Sequence, residues 1–116
     1  MKKSNYIAGQ WVEGTSSIKN INPSDTSETI DEYTSCTDEQ FEQAIQSAAT
    51  AQREWEKVGI EKKSQILIKI GDELIQKSKK IGELLSREEG KPLNEGIGEV
   101  ARAGQQFQYY GSECVR

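Results

Sequence analysis

Few residues in this chain have the type and spacing for chemistry. The stretch GIGEVA, Gly96 to Ala101, fits G-x-G-x-x-[G/A], a pattern that can lay a dinucleotide pyrophosphate on a helix N-terminus. That geometry needs a strand before the first glycine, a helix after it and an acid roughly 20 residues further on. The residues before Gly96, SREEGKPLNE, read instead as a helix end, a turn and a helix start. The stretch up to Arg116 leaves no room for a second strand with its ribose-binding acid, and Glu113 falls on a helix or its end. The reading that remains is two glycines in the first turns of a helix packed closely on a neighbour.

The other reactive side chains lack partners. Cys36, in TSCTDEQ, precedes an expected helix N-terminus that could stabilise a thiolate, but no base or oxyanion donor stands near it. It reads as a small semi-buried residue, and Cys114 has no activating neighbour. Glu88 and Glu89, beside Gly90 and Lys91, could hold a cation or pair with Arg87 or Lys91; a helix-terminal charge cluster is the expectation. The chain has no histidine, which removes Ser-His-Asp and Cys-His catalysis, histidine zinc sites and the commonest general base. There is no C-x-x-C pair, and EGKP carries Gly-Lys without the rest of a Walker A loop.

The whole chain sets further bounds. Its 116 residues suit one domain. A net charge of −4 argues against nucleic acid as the main partner, because phosphate binding needs a basic surface. The lysines of KSKK, Lys77 to Lys80, are interrupted by acids a turn away and read as a solvated helix face. No apolar run reaches the ~20 residues of a membrane span. The start, MKKSNYIAGQW, lacks the apolar stretch of a secretory signal. Two distant cysteines make no disulfide framework, so a cytoplasmic protein with reduced thiols is expected.

Residues 1–36 read as an antiparallel hairpin or meander. Tyr6, Ile7, Trp11 and Val12 flank a turn at Ala8-Gly9, and Pro23, Ser24 and Asp25 make another. Residues 37–116 read as three helices. The first opens on a Thr37–Gln40 capping box and carries Phe41, Ala44, Ile45, Ala48, Ala51 and Trp55 at helical steps. The second is predicted from Ile60–Ser64 to about Glu88, ~40 Å at ~1.5 Å per residue. Gly71 and Gly82 would permit close packing along it, and Gly90 with Pro92 would stop it. The third starts near Leu93 or Asn94, with Asn94 as N-cap and Ile97, Val100, Ala101, Gly104 and Phe107 on one face, and it still runs or has just ended at Arg116.

The order of these blocks carries a resemblance. YIAGQWVEG, INPSDTSETI, AIQSAATAQREW and LIKIGDELIQKSKKIGELLSREEGKPLNEGIGEV follow one another through essentially the whole chain. They resemble the N-terminal segment of the aldehyde dehydrogenase superfamily, with its INGxW hairpin, NP turn, helix closing in Trp and E-x-GK-P/T-L-x-E stretch. REEGKPLNEGIGEVARAGQQFQYYGSE looks most like 2-oxoglutarate semialdehyde dehydrogenases and their relatives. The resemblance implies an α/β fold with a Rossmann-like cofactor domain, of which this piece is a mainly helical part. It also implies an intact enzyme that attacks an aldehyde with a cysteine thiolate, passes hydride to NAD or NADP and hydrolyses the thioester to a carboxylate.

The family's catalytic cysteine, general-base glutamate, oxyanion-hole asparagine and cofactor strands have no counterpart among these residues, so no catalytic or cofactor-binding role carries over. No cofactor is expected to bind this piece alone, and its expected partner is the remainder of the parent chain. Some members hold a monovalent cation with a carboxylate before GKP and a carbonyl before the NP turn; the matching positions are Glu88 and Asn20, the family's usual aspartate being a glutamate here. Two other functions stand beside this reading. One is a stand-alone helical protein-interaction module, or a remnant without enzyme activity; the other is a small independent enzyme, which the missing catalytic groups oppose. A severed part would self-associate or look molten, whereas a module would melt sharply as a monomer.

Overall fold

The computed structural model describes residues 2–116, which divide into two compact units, one ending at Lys57 and the other spanning Val58–Arg116. In the first unit, β1 (Lys2–Lys3) is followed by a hairpin of β2 (Asn5–Ile7) and β3 (Gln10–Val12). Ala8 and Gly9 connect the two strands, both with positive φ, 52° and 82°. That combination suits the right-handed strand twist, and it makes Ala8 a side-chain-bearing residue in left-handed backbone. Tyr6 lies opposite Trp11, their ring centroids 4.9 Å apart.

β4 (Ser16–Ile21) pairs antiparallel with β5 (Thr29–Ser35), with a register shift between Asn20 and Ile21. The NP turn is built around Asn22, which is buried. Its Oδ1 accepts the Ser24 N–H at 2.9 Å and its Nδ2 donates to Glu28 Oε2 at 2.7 Å, closing the loop back to β5. The antiparallel pairings match expectation. β1 adds a pairing that the sequence did not suggest: it lies parallel to the other edge of β5, Lys2 opposite Glu32. A parallel neighbour requires a long connection, and the hairpin and β4 provide it.

α1 (Asp38–Lys57) opens on the predicted capping box. Gln40 N–H donates to Thr37 Oγ1 at 3.2 Å, and Thr37 N–H donates to Gln40 Oε1 at 3.0 Å. Gln40 Nε2 also donates to the Glu13 carbonyl at 2.7 Å, tying the helix start to the end of the hairpin. α1 lies against β2, yet every residue of it is exposed or half-buried, including the Phe41–Trp55 stripe.

The second unit corrects the expectation of three helices. The long middle helix is two, α2 (Ile60–Gln76) and α3 (Ser78–Glu89), followed by α4 (Leu93–Glu113), so the described residues form four helices. The break falls at Lys77, φ −95° and ψ 6°, where neither Gly nor Pro marks it. On either side of it the contact with α4 changes: α2 meets α4 at Gly71 and Gly104, while α3 meets α4 at Gly82 and Gly96.

Small residues make up most of the buried positions in this unit: Ser64, Gly71, Gly82, Ser86, Gly96, Gly104 and Gly111. Backbones therefore approach closely with few large side chains between them. α3 ends as expected at Gly90, in left-handed conformation at φ 72°, its N–H on the Ser86 carbonyl at 2.8 Å. α4 begins after Pro92 rather than on an Asn94 cap; Asn94 lies inside the first turn. Proline supplies the extended residue there and has no N–H to leave unpaired.

Candidate functional site

GIGEVA lies inside α4, one turn beyond its start. Gly96 N–H donates to the Pro92 carbonyl at 3.2 Å, so it is committed to the helix. A Cβ on Gly96 would stand 2.3 Å from Ser86 Oγ and 2.6 Å from the Gly82 carbonyl oxygen. The glycine exists to admit α3. Gly98 has nothing within 4 Å of its Cβ position, so the expectation of close packing holds for Gly96 and fails for Gly98. What precedes α4 is helix and turn, and the residues do not fit a pyrophosphate cradle.

Cys36 is exposed, not semi-buried, because it sits in the turn between β5 and α1; Cys114 is half-buried at the end of α4, and both are free. Among the described residues, no three His, Cys, Asp or Glu side chains gather as metal ligands, and no helix is long and apolar enough to cross a membrane. Asn20 lies at the bulge of β4, its backbone opposite Asp31, in the first unit. Glu88 lies in the last turn of α3, in the second unit. A cation role for either rests on the family resemblance alone.

The charge cluster after α3 is more organised than its sequence suggests. Lys91 Nζ pairs with both Glu89 and Glu99, the latter at 2.6 Å. The Lys91 side chain is 18% exposed, so its stem is covered while its ammonium bridges the α3 end to α4. The hydrogen bonds it donates to Glu89 and to Glu99 hold its pKa above the ordinary lysine value. Sequence reasoning found Lys91 and Glu89 but missed Glu99, eight residues along, because the αL turn at Gly90 decides which acid the lysine reaches.

The second feature missed is an unfilled apolar surface. Ile7 and Val100 are the only buried hydrophobic side chains among the described residues. The solvent-exposed area is 8613 Å². Even two separate compact globules of half this mass would together expose only about 7,700 Å². On α2 and α4 the surplus includes a groove of about 390 Å³ lined by Leu67, Ala103, Gln106, Phe107 and Tyr110. Phe41, Ile45 and Trp55 of α1 are 59%, 47% and 40% exposed. These stripes have the period of core-facing helices, yet no layer among the described residues covers them.

Residues 11–116 match the aldehyde dehydrogenase family. The chain belongs to that family. It is 33% identical over 114 residues to the alpha-ketoglutaric semialdehyde dehydrogenase of Bacillus subtilis, covering 97% of this chain and 23% of that protein. It is 32% identical over 109 residues to 1-pyrroline-5-carboxylate dehydrogenase 2 of the same organism, covering 94% of this chain and 21% of that protein. The structure superposes on the NADP-dependent glyceraldehyde-3-phosphate dehydrogenase from Bacillus halodurans C-125, complexed with NADP, with a TM-score of 0.95 and 27% identity, covering 100% of this chain and 25% of that one. This aldehyde dehydrogenase segment thus spans less than a quarter of the curated relatives' length, and corresponds to their N-terminal part.

Proposed function

We propose that this chain is the N-terminal structural part of an NAD(P)-dependent aldehyde dehydrogenase that oxidises an aldehyde to a carboxylate. The observation that carries the reading is the match over residues 11–116, joined to amphipathic helices whose apolar faces lie open. In the intact enzyme the segment is scaffold. Its glycine-packed α2–α4 unit and its hairpin brace a cofactor domain whose nucleophile, base and dinucleotide strands come from the rest of the polypeptide. NAD or NADP binds there, and among the described residues of this segment GIGEVA does not fit a pyrophosphate turn. A cytoplasmic setting agrees with two free thiols. Alone, the chain self-associates through its open faces.

The substrate we favour is an aldehyde that also carries an acid, 2-oxoglutarate semialdehyde among them. Support comes from relatives named for alpha-ketoglutaric semialdehyde, malonate-semialdehyde and 1-pyrroline-5-carboxylate, at 33%, 35% and 32% identity.

A chimera tests the proposal. This chain replaces the matching segment of the Bacillus subtilis alpha-ketoglutaric semialdehyde dehydrogenase, and aldehyde-dependent NAD(P) reduction is followed by absorbance. The expected result is an active chimera with the host's substrate preference, and no activity from the chain alone. Turnover by the chain alone, or a soluble chimera of native size without activity, would overturn the scaffold reading.

A further inference from the structure

We draw no further inference here: the strongest candidate, the apolar groove between α2 and α4 lined by Leu67, Ala103, Phe107 and Tyr110, carries nothing beyond the proposed function because nothing in the structure shows what covers it.

Discussion

Gly71 and Gly104 meet across α2 and α4 with no room for a side chain on either. A Cβ on Gly71 would lie 2.6 Å from the Gly104 carbonyl oxygen, and a Cβ on Gly104 would lie 2.8 Å from the Gly71 carbonyl oxygen. Both obstacles are backbone, which cannot retreat as a flexible side chain does. The helices must therefore separate to admit a methyl group.

Gly71→Ala sets two effects against each other. Alanine gains about 1 kcal/mol of helix propensity, while overpacking costs about 1–3 kcal/mol. The overpacking cost falls in the upper part of that range, about 2–3 kcal/mol, because the contact is backbone on backbone, and we expect net destabilisation of about 1–2 kcal/mol. Gly98→Ala meets nothing within 4 Å and keeps only the propensity gain. The two substitutions should shift the urea midpoint in opposite directions, followed by circular dichroism at one protein concentration. Shifts in the same direction would refute the close-packing account.

The capping box offers a finer test, because Gln40 makes two bonds with different requirements. Thr37→Ala removes the hydroxyl acceptor and should cost about 1 kcal/mol of α1 stability. Gln40→Glu keeps an acceptor for the Thr37 N–H but cannot donate to the Glu13 carbonyl. Amide exchange at Thr37 should stay slow in Gln40→Glu and become fast in Gln40→Ala. Equal loss of protection in both would mean that the tie to Glu13, not the box, orders this turn.

The elements set by local chemistry were legible in the sequence: the Ala8-Gly9 turn, the Thr37–Gln40 start and the Gly90 stop each depend on residues within a few positions. The break at Lys77 was not. KSKK favours continued helix, and neither Gly nor Pro stands at the break, so nothing local announces it. The parallel pairing of β1 was hidden for the same reason, since its partner lies some thirty residues away. At the candidate site, the failure of GIGEVA as a cofactor turn followed from the helix before it, whereas the Lys91–Glu99 bridge depended on the turn geometry.

Lys91 gives the chain an alkaline dependence of definite sign. Its pKa is raised in the folded state by Glu89 and Glu99, so folding favours the charged ammonium. That contribution is fully present below the unfolded value, near 10.5, and is lost as pH rises through the higher folded value. Lys91→Met should therefore lower stability at neutral pH and flatten the fall above about pH 10. The effect is modest, because both carboxylates are near half-exposed and solvent screens the bridge. Urea midpoints of the two proteins across that range check it, and parallel curves would show that the bridge contributes nothing.

The open faces make the isolated chain's association state the most direct prediction. Each apolar side chain taken out of water contributes about 1.5–3 kcal/mol, against an association cost of about 4–15 kcal/mol. Ile70, Leu84, Leu93, Phe107 and Tyr110 are 38–62% exposed, so covering what remains of them on both copies of a dimer contributes about 7–14 kcal/mol, within the range of that cost. The sedimentation mass of the chain should rise with concentration. Leu67→Gln with Phe107→Gln should weaken association about tenfold or more, because about 1.4 kcal/mol corresponds to each factor of ten. The pair removes part of the driving force without touching the glycine contacts, so helical content should persist. A monomer at every concentration with one sharp thermal transition would show that these faces need no cover, and would favour a self-sufficient helical module over a part of a larger fold.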